Sequence, residues 1–576
     1  MKTSFAVFLF SLTGAWLSAQ SLPIAIDSQF DDWTATAQFA DGQGDGNNLD
    51  LLRFDVANDG NYLFLRLTLN DEILLTNSND LTLFLDTDNN GLTGKAVNGI
   101  GAELEVNFGD REGRFYFGNS SLPINLNSVK FHHQPTVSSG VFEMAIGRDV
   151  QLAGFPLFTG NVIRIFFRDG VAGDMMPNAG QTFTYVFDNA TPPPFQPIDL
   201  QKDNSQYIRL LTWNTLQNGL DDFDRKEHFK RVIGVLQPDI ITFNECWNVT
   251  SGMAATLVNE ALPLGNFQSW NAVKLDQGNI TVSRFPILQN WLVYPGSRLT
   301  ASLIDLPDGL YSTDLLVVNA HLKCCSDGNY ARQQEADAFA AFILDARSPG
   351  GVITLPEGTP FVLSGDLNLV GWQQQLTTLL TGDIVYTGTF GPGDPLDWDG
   401  TDLLDVISLQ TDQRMAYTWR SDFSDYPPSR IDFHICSNSV MQVKKAFTLQ
   451  TEIMSPERLT EYGLLADDTH SASDHLPKVT DFELDNLTET TNTNRLEPGF
   501  EVWPNPISHT VYARFTWPGA TELHFSLFRP DGMLVRQWEV TGMQELEADL
   551  GDLPGGIYFF SVQTEMNRKV VRVVKR

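Results

Sequence analysis

The chain has 576 residues, with 71 Asp or Glu against 38 Lys or Arg and a formal net charge of −33. At 42% hydrophobic, 11% aromatic and 19% charged residues it has ample apolar material for folded cores, which excludes a disordered polyelectrolyte. The charge is spread: residues 21–190 hold 22 acidic and 9 basic side chains, and residues 207–484 hold 35 and 18. Such a surface weakens steering toward polyanions, yet it leaves phosphate chemistry open because a bound cation reverses the local field.

Lys2, the apolar run Phe5 to Leu12 and the small-residue site Leu17-Ser18-Ala19 predict a signal peptide over residues 1–19, with the mature chain starting near Gln20. The run is too short to span a bilayer and no second run of 18 follows, so no transmembrane segment is expected in the mature protein. From 21 to 190, short alternating runs such as Tyr62 to Leu67 and Leu81 to Leu85 lie between Asn, Asp and Gly clusters. This pattern predicts an all-β sandwich. Thr191-Pro192-Pro193-Pro194 opens a stiff linker expected over 191–206.

The period then changes. Ile208 to Trp213 reads as a strand, Phe229, Val232, Ile233 and Leu236 share a helix face, and Ile240 to Phe243 follows Pro238 as a second strand. Ala336, Phe339, Ala340 and Ile343 repeat the helical spacing before the strand Pro360 to Leu363. Alternating strands and helices predict a layered α/β domain over 207–484. A Thr- and Asn-rich linker over 485–500 and a small β-sandwich over 501–576 complete the chain.

Within the α/β region, polar residues suited to a hard cation or a phosphate sit where strands end: Asn214, Glu245, Asp366 and Asn368, together with His321, Asp432, Asp474 and His475. Each alone has a bland reading as a turn residue, surface charge, helix cap or core histidine. Their joint order over about 260 residues is hard to reach by chance. The segments Thr212-Trp213-Asn214, Asn244-Glu245, Ser283 to Ile287, Asn319 to Leu322, Gly365 to Asn368, Arg430 to Phe433 and Ser473-Asp474-His475 resemble the endonuclease/exonuclease/phosphatase superfamily.

That resemblance implies a central four-layer α/β sandwich, flanked by the two β-sandwiches, and P–O bond cleavage with a divalent metal, Mg²⁺ or Mn²⁺. It assigns Glu245 as main metal ligand with Asn214 and Asp474 nearby, an oxygen set that suits Mg²⁺. Asp366 and Asn368 would orient or deprotonate the attacking water. His475, positioned by Asp432, would bind phosphate and exchange a proton, and His321 would hydrogen-bond the developing charge or protonate the leaving oxygen.

The cysteines are Cys246, Cys324, Cys325 and Cys436, and export favours bridging. Cys246 follows Glu245 and Cys324 lies three residues after His321, so convergence of those two would permit a Cys246–Cys324 bridge; a Cys324–Cys325 vicinal bridge and free thiols are the alternatives.

The segments Ile26 to Trp33 and Leu85 to Gly94 resemble sandwiches related to family 9 carbohydrate-binding modules, which implies a glycan contact by the N-terminal domain. Asp86, Asp88 and Asn90 are spaced like the opening of a Ca²⁺ loop, with Val97 at the twelfth position and Glu103 as a substitute ligand; an Asx-rich turn is the competing reading. Val502 to Pro506, Leu527 to Gly532, Leu553 to Tyr558 and the basic C-terminus resemble the type A C-terminal sorting domain of type IX secretion. This implies the type IX machinery as partner and a secreted or cell-surface protein of a Gram-negative bacterium.

The expected function is therefore a secreted metal-dependent phosphodiester hydrolase acting on extracellular nucleic acid. Sphingomyelinase-like action on a phospholipid head group, or inositol-phosphate hydrolysis, is the alternative; Phe390, Leu396 and Trp398 are the candidate apolar loop for a lipid enzyme. A glycan-binding adhesion protein with a degenerate enzyme domain is the alternative of another class.

Overall fold

The computed structural model describes residues 23–576 except 35, 47–48, 172, 190–193, 266–267, 485–498, 517–521, 530–532, 542–544 and 564–567. The expected signal peptide, the Pro192-Pro193 start of the first expected linker, nearly all of the second and the expected turn over Pro530 to Gly532 lie outside the described residues. The chain divides into two compact units, residues 1–487 and 488–576.

In the first unit, residues 37–187 form two antiparallel sheets. One has the strands Ala37–Ala40, Leu51–Asn58, Tyr62–Ile73, Ser139–Gly147 and His132–Gln134 in that order, and the other is centred on Leu81–Asp86 paired with Val162–Asp169 and Leu104–Asn107. The inward residues of their alternating strands, among them Phe54, Leu65, Leu83, Val106, Phe142 and Ile165, make one apolar core. The all-β sandwich is thus what period-two alternation produces when one face of each sheet is buried.

Four layers follow. A seven-stranded sheet contains β1 (Ile208–Asn214), β2 (Ile240–Asn244) and β6 (Lys478–Leu484), and a six-stranded sheet contains β3 (Leu315–His321), β4 (Phe361–Asp366) and β5 (Asp432–Cys436). Ile208, Leu210, Val317, Val362 and Phe482 fill the space between the sheets. Phe229, Val232, Ile233 and Leu236 press the helix Lys226–Leu236 onto the first sheet. Ala336, Phe339, Ala340 and Ile343 do the same for Asn329–Arg347 on the second. Strands covered on both faces read as near-continuous apolar runs, and every residue of β1 to β5 is buried. The first helix stops at Gln237, in left-handed conformation, because Pro238 disfavours a helical residue before it.

Register positions the site. β3 and β4 run parallel with His321 opposite Asp366, and β4 runs antiparallel to β5 with Asp366 opposite Asp432. In the other sheet Asn214 lies opposite Asn244 in parallel β1 and β2. Asn214, His321 and Asp366 therefore end their strands, and Asp432 begins its own, at one edge of both sheets.

Two sequence expectations change. The segment 194–206 is no free spacer: Leu200 is buried in the helix-side core, Ile198 N donates to the Thr411 carbonyl, and the Ile198 carbonyl accepts from the Arg458 guanidinium. Its apolar residues find a groove on the α/β region, which a Pro-rich composition does not announce. The loop over 390–398 is not an exposed apolar surface either: Leu396 is fully buried, Phe390 packs on Tyr294 and the Trp398 indole donates to the Thr359 carbonyl.

The second unit is a small β-sandwich of a three-stranded sheet (Gly499–Trp503, Thr510–Thr516, Glu545–Asp549) and a four-stranded one (Leu534–Thr541, Glu522–Phe528, Gly556–Gln563, Arg568–Lys575) around Val511, Phe525, Leu527 and Phe560. Among the described residues no helix is long and apolar enough to cross a membrane.

Candidate active site

The eight residues singled out in the α/β region come together. The Asn214 amide donates to Asp366 Oδ2 (3.0 Å) and Glu245 Oε1 (3.3 Å), joining the two sheets across their shared edge. Glu245 takes a left-handed backbone (φ 58°) just after β2, which turns its carboxylate into the cleft, where Gln217 N donates to Oε2. Such a conformation is costly for a non-glycine residue and marks a position held by its surroundings. Asn368, at φ 48°, donates from Nδ2 to the Leu322 carbonyl and from its backbone to Asp366 Oδ1.

His321 Nε2 faces Asp366 Oδ2 at 3.6 Å and Glu245 Oε1 at 4.0 Å. Burial holds its pKa well below the ordinary histidine value, so the ring is neutral. His475 differs by one partner: its Nδ1 is 2.9 Å from Asp432 Oδ2, and Nε2 is 3.8 Å from Asp366. Burial alone would lower its pKa, but the carboxylates of Asp432 and Asp366 outweigh that and lift it to about 10. Burial pushes the Asp366 carboxyl up to about 7, with His475 opposing and Asp432 adding to the rise. Two histidines of one cleft are thus set apart in charge.

Asp474 accepts from the Trp419 indole at Oδ2 (2.9 Å), while its Oδ1 is buried with no partner. Ser473 Oγ donates to the Asn214 carbonyl (2.8 Å), fixing the Ser473–His475 turn against the end of β1. The oxygen donors of Glu245, Asn214 and Asp474, one carboxylate oxygen still lacking a partner, fit the hard-cation set that the sequence suggested.

Several contributors received no role in the sequence reading, although Asn244 and Asn319 stand in its motifs. Asn244 donates to Asn279 (3.0 Å) and Asn319 (2.9 Å) and accepts from the Asp366 backbone (3.0 Å), a buried amide network behind the cleft. Asn279 directly precedes the strand Ile280–Ser283, the same signal that marked the others. Trp419 had none. Nor did Leu74, Thr76, Asn77, His133 and Thr136, which come from the N-terminal sandwich to line the same cavity of about 320 Å³ as Glu245, Asp366 and His475.

The Cys246–Cys324 bridge is not formed; all four cysteines are free. Cys246 is buried, its Sγ 3.7 Å from Thr215 Oγ1 and 3.8 Å from the Asn244 carbonyl. Cys324 and Cys325 line the cavity with their Sγ atoms 2.7 Å apart. In the sandwich, Asp86, Asp88 and Glu103 each bring one oxygen within 4.8 Å of the others. Asn90 is not the third side-chain ligand of this group: its Oδ1 accepts from Leu92 N and its own N–H caps Asp86 and Asp88, so Glu103 completes the acidic set.

The sequence model of the Endonuclease/Exonuclease/phosphatase family matches residues 211–475, and that of the secretion system C-terminal sorting domain matches residues 501–576. No curated protein matches the chain. Similar solved structures include truncated Caenorhabditis elegans TDP2 (14% identity over 48% of this chain and 97% of that one, TM-score 0.32). ANGEL2, a 2',3'-cyclic phosphatase, is 15% identical over 48% and 95% (TM-score 0.32). The AP endonuclease LMAP from Leishmania major is 13% identical over 51% and 92% (TM-score 0.31). Residues 211–475 are therefore an endonuclease/exonuclease/phosphatase domain, and the C-terminal sorting domain over 501–576 marks the protein for type IX secretion to the cell surface or beyond.

Proposed function

We propose that the protein is an exported, Mg²⁺-dependent phosphoesterase that hydrolyses a phosphodiester by adding water across a P–O bond. The observation that supports this best is the convergence of Glu245, Asn214 and Asp474 with the Asp366–His475–Asp432 array at one edge of two sheets. Glu245, Asn214 and Asp474 would hold the metal, which when bound neutralises phosphate charge and screens the surrounding carboxylates.

The chain's own groups then divide the work. Asp366, titrating near 7, accepts a proton from the attacking water, and Asn368 orients that water. His475, an imidazolium held by Asp432, binds the phosphate and gives its Nε2 proton to the departing oxygen as the P–O bond breaks. His321 is neutral, so it serves as a hydrogen-bond donor to the developing charge and not as the acid.

Turnover of bis-p-nitrophenyl phosphate with Mg²⁺, its loss in excess EDTA and its return on adding Mg²⁺ are the expected results. Activity that persists in chelator refutes the metal's part. No turnover of that ester, plasmid DNA or sphingomyelin favours the adhesion reading. Nucleic acid is the first polymer to assay; a lipid head group is favoured by Phe423, 99% exposed on the loop that brings Tyr426 to the cavity.

A further inference from the structure

We infer that the N-terminal sandwich is one wall of the substrate site, and that His133 reads the organic part of a compact ester carrying a single phosphate. This rests on the phosphoesterase reading above and narrows its substrate class.

The wall is built in. Thr136 Oγ1 donates to the Leu369 carbonyl (2.8 Å), Ser138 N donates to the Gly371 carbonyl (2.8 Å), and between them Val137 is buried in the core of the α/β region. Asn127 Nδ2 donates to the Ser424 carbonyl (2.8 Å), and the Arg111 guanidinium lies 4.3 Å over the Tyr426 ring, so the loop beside the cavity is held from the sandwich side as well. His132 stacks on Tyr417 at 5.1 Å and 9°. An appended glycan module on a tether has no reason to bury such contacts; a pocket wall does, because it has to keep its shape.

His133 is the buried titratable group of that wall. It is 3% exposed, Nδ1 has no partner, and the residue lines the catalytic cavity. Burial lowers its pKa to about 4, against a hydrogen bond from the ring to the Pro135 carbonyl. The ring is therefore neutral, and its buried Nδ1 has no partner in the protein. A buried ring nitrogen without a partner is costly, and a polar group on the substrate would supply one.

Charge and size set the class. Among the described residues lining the cavity there is no Lys or Arg, while Glu245, Asp366 and Asp474 are acidic. Proteins that grip polynucleotides do so through Lys and Arg on successive phosphates; the cavity lining offers none, and Arg111 beside it is engaged over the Tyr426 ring. At about 320 Å³ the cavity is at the small end of ligand sites.

The test compares kcat/KM of the full chain on thymidine 5'-(p-nitrophenyl phosphate), which carries hydroxyl and N–H donors, on bis-p-nitrophenyl phosphate, which carries none, and on linear duplex DNA. Wild type is expected to prefer the thymidine ester to DNA phosphodiesters by at least about a hundredfold. His133→Phe keeps the ring volume, and the ratio of kcat/KM between thymidine and bis-nitrophenyl esters is expected to fall about tenfold, the worth of one hydrogen bond. Leu74→Asp, on the half-buried part of the wall, adds a carboxylate facing the phosphoester and is expected to raise KM for both small esters at least about fivefold. An unchanged ratio in His133→Phe together with unchanged KM in Leu74→Asp, or DNA cleaved as well as the thymidine ester, overturns the inference. Absence of turnover by wild type on all three esters instead overturns the phosphoesterase reading beneath it.

Discussion

Gly365 offers the sharpest test of how register builds the site. It precedes Asp366 in β4 at φ 143°, in the region that favours glycine. A Cβ placed there would lie 1.9 Å from the Ala320 carbonyl oxygen of β3 and 2.9 Å from its carbon. Contacts under 3.0 Å are essentially absent for real Cβ atoms, so Gly365→Ala forces β3 and β4 apart by about 1.1 Å, the difference between 3.0 and 1.9 Å. The same pair of strands sets His321 opposite Asp366, 3.6 Å apart, so the displacement is nearly a third of the catalytic separation. Misplacement by about 1 Å costs on the order of a hundredfold in rate, and the overpacking costs about 1–3 kcal/mol in stability. Steady-state kinetics on bis-p-nitrophenyl phosphate and a thermal melt measure both. Gly388→Ala, whose Cβ meets nothing within 4 Å, is the control. A Gly365→Ala enzyme within twofold of wild type, melting at the wild-type temperature, refutes the register argument.

Asp366→Asn and His475→Ala are expected to lower kcat about a thousandfold with unaltered far-ultraviolet circular dichroism, the scale of a lost proton-transfer group. Arg209 is 1% exposed and forks onto Asp481 at 2.6 and 2.7 Å; Arg209→Leu leaves that carboxylate buried alone and should cost about 3–5 kcal/mol in a urea titration. Lys478, buried against the Val406 carbonyl and Ser408, has its pKa lowered by burial, and secondly by Arg430, to about 7. Between pH 7 and about 10.5 the unfolded chain holds a proton the folded one lacks, so stability rises with pH across that window, by at most about 5 kcal/mol. Lys478→Met should flatten this rise, seen by comparing unfolding midpoints at pH 7 and 9; an unaltered slope would count against the buried neutral amine.

Much of the candidate set was legible because Asn214, Glu245, His321 and Asp366 end or follow strands whose apolar runs are strong local signals. Asp366 follows Phe361 to Gly365 and Glu245 follows Ile240 to Asn244, and strand ends are where such sheets collect ligands. The calcium-like loop was legible only in part: Asp86 and Asp88 share a turn, but Glu103 comes from across a hairpin. The cysteine pairing failed because sequence spacing says nothing about which way a buried thiol points, and Cys246 points into the core beside Thr215.

Local periodicity and strand-end chemistry, properties of neighbouring residues, pointed to the three folded regions and the order of the candidate site residues, and the motifs of residues 501–576 pointed by resemblance to the secretion domain. Charge state and enclosure belong to the tertiary structure alone. His321 and His475 are both histidines near strand ends, and only packing makes one neutral and the other an imidazolium, through the carboxylates of Asp432 and Asp366. His133 and Thr136 sit in a sandwich strand and turn more than a hundred residues before β2, and no periodicity connects them to Glu245. Only the docking of one domain on the other brings them to the same cavity, because contacts between surfaces distant in sequence leave no local pattern to read.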